Sequence, residues 1–394
     1  MKILYISNFY TIRNSSAAIR NNAMVKGLTE LGHQVDVLTV RQSETSTSPD
    51  LNFGHIIYTE LFNLSLRSGV KKLVNNQVKT VLGEIYSRMM KILHFPDAYY
   101  KWPNKVNVAL LKEYDLLISS SDGKISHFVG RKIKKTRPYL KWIQIWGDPW
   151  FDDLNSNLLD KIRIRHYEKA FLSEADKVVY ISLPTCNAMK TRYTNIADKI
   201  GFIPRSYFKD FTYSVPKNEI EIHIAYTGAL RSVYGRNLSP LLKAIEAYNK
   251  KEDGRSPKIM INVYGEVDNA TRQEFRSIYV NFHHSVDVSE LGNIYSKSNA
   301  LLYISNKDGS TQIPGKLYDY LGTSSLVLCL VNNMEDEIAS FLKELGPRCM
   351  LIKNEEKEIF SRLNEAVEKM KIEYLPDKAF SPRTIAQKLL NESE

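Results

Sequence analysis

Only three cysteines occur in 394 residues, Cys186, Cys329 and Cys349, far apart and without metal-ligand or redox spacing. Their scarcity excludes a disulfide scaffold and fits a reducing cytoplasm, with all three thiols acting as packing residues. No stretch approaches the ~18 consecutive apolar residues needed to span a bilayer. The opening Met1-Lys2-Ile3-Leu4-Tyr5-Ile6-Ser7 is too short for a signal h-region and lacks a small-residue cleavage site, so it reads as a buried first strand. Short-period repeats and low-complexity tracts are missing too. The chain has no Asp-x-Asp pair and no His/Cys ligand spacing, which argues against a catalytic metal.

Acidic charge is scarce in one half only. Residues 1–200 hold 29 Lys and Arg against 18 Asp and Glu, residues 201–394 hold 25 against 26, and the formal net charge is +10. The excess on the first half would attract phosphates or anionic lipid headgroups, although a basic surface also serves solubility alone. The neutral second half and the lack of a recognisable nucleic-acid motif speak against a nucleic-acid partner.

What is present is an alternation of short apolar, β-rich runs with helical periodicity, the pattern of an α/β protein with parallel sheets. Lys2–Ser7 predicts a strand. Ile19, Ala23, Leu28 and Leu31 then share a helical face, Gly32 ends that helix, and Val35–Val40 is the next strand. Leu116–Ser119, Tyr139–Ile145 and Val178–Ser182 extend the first sheet. The same grammar restarts at Glu221–Gly228, followed by a helix with Leu238, Leu241, Leu242, Ile245 and Tyr248 on one side. Lys258–Tyr264, Ala300–Ser305, Leu326–Val331 and Cys349–Lys353 supply later strands, with helical stretches around Ser289–Ser298, Gly315–Thr323 and Glu335–Leu345. The length itself predicts about two domains at ~150 residues each. Between the halves, Pro204–Lys217 lacks periodicity and reads as a hinge.

Ligands of such sheets bind beyond the carboxyl ends of the strands, so strand-end loops carry the candidates. The first, Asn8 to Ser16, enters a helix whose free N–H groups suit an anion; Ser15 and Ser16 permit close backbone approach, and Ser15 equally suits a helix cap. In the second half Gly228 makes a turn followed by Arg231 and Arg236, and guanidinium forks match phosphate oxygens. The segment Thr311-Gln312-Ile313-Pro314-Gly315-Lys316-Leu317-Tyr318-Asp319 follows another strand into a helix. There Asp319 stands near the start of the helix, and Lys316 lies three residues before it on the same helical face, where the two could pair. His127 and Asp148 follow two strand ends of the first half. A lone histidine is more often structural, whereas Trp146 and Trp150 flank Asp148 with aromatic faces that could stack on a ligand. Leu66–Leu93 combines an apolar face with Arg67, Lys71, Lys72, Lys79, Arg88 and Lys91, and suits either an anionic membrane surface or packing on the first domain.

Taken together, the Met1–Val40 opening, the strand-Gly-Arg turn at Gly228 and the run Pro-Gly-Lys-Leu-Tyr-Asp-Tyr-Leu-Gly at 314–322 resemble the bacterial glycosyltransferase family 4, of GT-B fold, over essentially the whole chain. The resemblance implies two Rossmann-like domains facing across a cleft: an acceptor domain at 1–203, a nucleotide-sugar domain at 204–378, and a C-terminal helix at 379–394 returning to the first. It implies a retaining, metal-independent transfer from a nucleoside diphosphate sugar to a hydroxyl of a surface-polysaccharide or lipid-linked glycan, with no cofactor, in the cytoplasm or peripherally at the membrane. Gly228, Arg231, Arg236, Thr311, Gln312, Ile313, Pro314, Lys316 and Asp319 would hold the donor, with Ser15, Ser16, His127, Asp148 and Arg20 toward the acceptor. His127, Asp148, Arg231 and Arg236 are the expected catalytic groups. The family carries two acids seven positions apart. Asp319 matches the second, and Thr311 stands in place of the first. A sugar-nucleotide epimerase on the same scaffold and a non-catalytic transferase-like subunit are the alternatives.

Overall fold

The computed structural model describes residues 1–12, 15–41, 53–61, 94–121, 123–151, 158–216, 220–230, 235–250 and 256–391. Arg231 and the Leu66–Leu93 segment lie outside these described residues. The chain divides into two compact units, one of residues 1–181, 185–203 and 386–394, the other of residues 182–184 and 204–385.

The first unit is built on a seven-stranded sheet of order β3-β2-β1-β4-β5-β6-β7. Its strands are β1 Lys2–Ile6, β2 Gln34–Val40, β3 His55–Thr59, β4 Leu116–Ser121, β5 Lys141–Trp146, β6 Lys177–Tyr180 and β7 Ile200–Phe202. Every pairing is parallel. Parallel strands need crossover connections and covered faces, which is why β4 reads as an uninterrupted buried run. The second unit has six parallel strands in the order β10-β9-β8-β11-β12-β13. They are β8 Glu221–Thr227, β9 Lys258–Tyr264, β10 Val280–His283, β11 Ala300–Ile304, β12 Leu326–Val331 and β13 Cys349–Lys353. On one face, Ile222, Ile224, Ile259, Ile261, Leu302 and Leu328 pack with the helices Ser239–Asn249 and Glu356–Lys369 into one core.

Three strands escape the sequence pattern: β3 at an edge, the three-residue β7 and the four-residue β10. Each is short and forms an edge of its sheet, so burial imposes little apolar signal. Tyr139, expected to open β5, is exposed, and the strand begins at Lys141. All three cysteines are free and buried. No described helix is long and apolar enough to cross a membrane.

The segment expected as a hinge has no regular element where it is described, yet it is fastened within the second unit. Phe211 N donates to Gly322 O at 2.7 Å, Tyr213 N donates to Ser324 Oγ at 3.2 Å, and Tyr207 N donates to Phe380 O at 3.2 Å. Gly322 is required for this contact, since a Cβ there would lie 2.7 Å from the Tyr207 ring.

Candidate functional site at the carboxyl edge of the second sheet

The strand order of the second sheet reverses between β8 and β11, the position at which open α/β sheets bind their ligands. β8 ends at Thr227, whose N–H donates to the Tyr320 hydroxyl at 2.9 Å, tying the strand end to the helix Lys316–Leu321. The next residue, Gly228, donates its N–H to Tyr264 O at 2.8 Å. Gly265 completes this contact: its φ is +155°, and a Cβ on it would lie 2.1 Å from Gly228 O. Gly265 thus lets two strand-end turns touch backbone to backbone.

Cations gather around this turn. Arg236 donates from Nη1 to Ala229 O at 2.8 Å and to the Tyr226 hydroxyl at 2.9 Å, and from Nε to Asn306 Oδ1 at 3.0 Å. The guanidinium is therefore held beside the Gly228 turn in a fixed orientation. Lys316 runs past the same turn, because a Cβ placed on Gly228 would meet its Cγ at 3.5 Å and its Cε at 3.8 Å. Burial pushes the Lys316 ammonium below its ordinary range, and the Asp319 charge opposes that shift.

Asp319 lies in the first turn of its helix and is 8 % exposed. Its oxygens face Arg205 Nη2 at 3.3 and 3.4 Å and Lys316 Nζ at 3.6 Å. The expected pairing of Lys316 with Asp319 is present, and Arg205, which sequence reasoning missed, stands with it. The preceding segment is anchored by Ile313, which is buried; Gln312 is exposed, and Thr311 and Pro314 are partly buried. Asn306 Nδ2 donates to Gln312 O at 3.4 Å, so Asn306 links this segment to Arg236. Asn306 and Tyr320 were also missed, since an amide after a strand and a helical tyrosine carry no sequence signal of such roles. The structure thus brings Gly228, Arg236, Lys316 and Asp319 to one edge.

In the first unit the corresponding reversal lies between β1 and β4, and its edge is filled by the protein's own polar groups. Asn21 Nδ2 donates to Ser7 Oγ at 2.7 Å and Phe9 O at 2.9 Å, while its Oδ1 accepts from Tyr5 at 2.9 Å and Ser120 at 2.7 Å. Arg20 is buried and reaches Ser120 Oγ and Ser121 O, both at 3.4 Å. Ser15 caps the helix Ser16–Glu30, its side chain accepting from Ala18 N, and Ser16 is exposed.

His127, expected near the reacting sugar, has no exposed surface. Its Nδ1 lies 2.8 Å from Ser119 Oγ, and its ring stacks on Trp146 at 4.4 Å. Burial, then the Lys124 charge, holds it well below the usual imidazole range. In this arrangement the neutral ring touches protein on every side. Asp148 is exposed, and its carbonyl accepts from Lys124 Nζ at 3.0 Å. The flanking Trp146 and Trp150, expected as stacking surfaces, are 0 % and 6 % exposed, and Trp150 stacks on Phe95 at 5.4 Å. Their faces are committed to the core. Glu168, which carried no signal in sequence, fixes this loop by accepting from Trp150 N at 2.8 Å and Phe151 N at 3.0 Å.

No family model matches the chain, and no curated protein sequence matches it. Solved structures do resemble it. The lipopolysaccharide outer core galactosyltransferase WaaB, in its apo form, has a TM-score of 0.58 at 13 % identity, covering 100 % of this chain and 99 % of that one. The catalytic domain of starch synthase IV from Arabidopsis thaliana, bound to ADP and acarbose, has a TM-score of 0.56 at 11 % identity, with 100 % and 98 % covered. A UDP-N-acetylglucosamine 2-epimerase from Listeria monocytogenes, itself an inferred activity, has a TM-score of 0.51 at 11 % identity, with 99 % and 94 % covered. Two parallel-sheet, Rossmann-like units of seven and six strands, matched over their full length by such structures, give the chain the α/β fold of the GT-B glycosyltransferases.

Proposed function

We propose that the chain is a glycosyltransferase that moves a sugar from a nucleoside diphosphate sugar to a hydroxyl of a surface-polysaccharide or lipid-linked glycan. The observation that carries this reading is the convergence of Arg236, Lys316 and Asp319 on the Gly228 turn at the strand-order reversal. A diphosphate needs fixed donors near a backbone that comes close, and Arg236 with Lys316 supplies charge beside a residue without a side chain. Asp319 accepts hydroxyls of the nucleotide's ribose. Arg231 completes the phosphate grip, and Thr311 with Gln312 takes the sugar where the family's first acid is absent.

The transfer is a retaining, metal-independent one, with cations neutralising the leaving diphosphate. As the bond between the sugar's anomeric carbon and the phosphate oxygen breaks, the acceptor oxygen bonds to that carbon from the same face. The acceptor proton passes to the departing phosphate, so no protein nucleophile is required. The first unit, with Ser15, Ser16 and Asp148, is assigned to the acceptor, at the cytoplasmic face of a membrane. His127 supports that unit from within.

A panel of UDP-, GDP-, ADP- and dTDP-sugars tests the reading by thermal shift. A cognate donor present at 100 times its Kd stabilises the protein by about 2.7 kcal/mol, and no shift with any member overturns the proposal. The fold likeness to an epimerase favours a second reading on the same unit. Incubation without acceptor separates the two, because an epimerase converts the stabilising sugar nucleotide into an isomer and a transferase leaves its configuration intact.

A further inference from the structure

Arg205 belongs to the segment that sequence reasoning treated only as a hinge, and it is 4 % exposed. Burying a guanidinium is costly unless a counter-charge meets it. Asp319 is that counter-charge, and the manner of the pairing is informative. A single nitrogen, Nη2, faces both carboxylate oxygens at 3.3 and 3.4 Å, longer than the roughly 2.7–2.9 Å of a charge-assisted hydrogen bond. Lys316 Nζ is farther still at 3.6 Å. Among the described residues, Asp319 thus has two cations to balance its charge and no short donor to occupy its oxygens. A carboxylate offers about four lone-pair sites, and buried polar groups normally fill theirs. Two hydroxyls on adjacent carbons would fill such sites.

Arg205 is also the better fixed of the two cations. Its segment is held by the Phe211, Tyr213 and Tyr207 contacts to Gly322, Ser324 and Phe380, whereas the Lys316 side chain is 28 % exposed. We infer that Arg205 is a positioning residue that holds the Asp319 carboxylate turned to accept both ribose hydroxyls, making the second unit selective for ribonucleoside over deoxyribonucleoside diphosphates. This inference rests on the reading of that unit as a nucleotide-sugar site.

Calorimetric titration of the full chain with UDP, GDP and ADP, and with the 2′-deoxy and 2′,3′-dideoxy form of each, tests it. Wild type is expected to bind one ribonucleotide at least about tenfold tighter than its dideoxy form, as loss of hydroxyls to a charged acceptor implies. Arg205→Gln should bring that ratio close to one while leaving dideoxy affinity unchanged, and Asp319→Asn should also bring it close to one. A merely structural role would weaken both ligands together. Should Arg205→Gln fail to fold, Arg205→Lys, which keeps the charge and loses the reach, must lower the ratio at least threefold. Wild type that binds none of the nucleotides overturns the site reading and this inference with it. Wild type that binds without preferring ribose, or a preference that survives in folded Arg205 variants, overturns this inference alone.

Discussion

The two units share one architecture and use its carboxyl edge in opposite ways. At the β1/β4 reversal, Asn21, Ser7, Ser120 and Tyr5 satisfy one another at 2.7 to 2.9 Å and are all buried. At the β8/β11 reversal, the carboxylate of Asp319 sits among cations at 3.3 to 3.6 Å, beside a glycine turn with room for a methyl group. A hydrogen-bonded neutral network of the first kind rigidifies a unit, whereas charged groups held apart retain capacity for a ligand. The difference fits a stabilising role for the first edge and supports the binding proposed for the second.

Arg236→Ala is the sharpest way to break this comparison. If the second edge stabilises developing phosphate charge, turnover measured as nucleotide release falls by about 10²–10³-fold, and an unchanged rate removes Arg236 from the role. Asn21→Ala probes the other edge. It leaves the Tyr5 and Ser120 donors and the Ser7 and Phe9 acceptors without their partner, at a cost of about 2–3 kcal/mol in urea unfolding. The activity of the molecules that remain folded should hardly change.

A pH experiment comes next in size. His127 is depressed below its ordinary 6.5 by burial, then by Lys124, so the unfolded chain takes up the proton first. Its contribution to stability is complete above about pH 6.5 and declines as pH falls below that value, at up to ~1.4 kcal/mol per pH unit. Asp97 acts in the opposite sense, since burial raises it to about 6 and the fold gains a proton there as pH falls. The decisive quantity is accordingly the difference between wild type and His127→Phe, which should shrink from pH 7 to pH 5. A constant difference would mean that the imidazole is protonated in the fold.

The smallest effect is expected for Gly228→Ala. A Cβ there meets only ordinary van der Waals distances, so unfolding free energy should change by less than about 1 kcal/mol. Nucleotide affinity should nevertheless drop, because the methyl group occupies the space over the turn. A large loss of stability would make Gly228 a structural glycine like Gly265 and blur the contrast between the two edges.

Much of this was legible in the amino-acid order. Fully buried strands such as Leu326–Val331 must be continuously apolar, and their alternation with helical periodicity specifies parallel sheets before any coordinates exist. Gly228 and Arg236 were visible because they follow a strand end, where an open α/β sheet presents its ligand groups, and Lys316 and Asp319 because the run at 314–322 resembles a known family's motif. The short strands β3, β7 and β10 were not, because edge positions demand little burial. His127 follows a strand end just as Asp319 does, and nothing local tells an interior histidine from one at the edge. The packing of Trp146 and Ser119 around it decided that.

Sequence by itself determined the fold class, the two-sheet organisation and the cationic turn, since these depend on periodicity and on residue types at strand ends. Only the tertiary structure decided that Arg205 stands against Asp319, 114 positions away, that Glu168 holds the Trp150 loop, and that Gly265 admits the Gly228 carbonyl. Contacts between distant segments leave no periodic trace, and they are fixed only when the sheets bring their loops together.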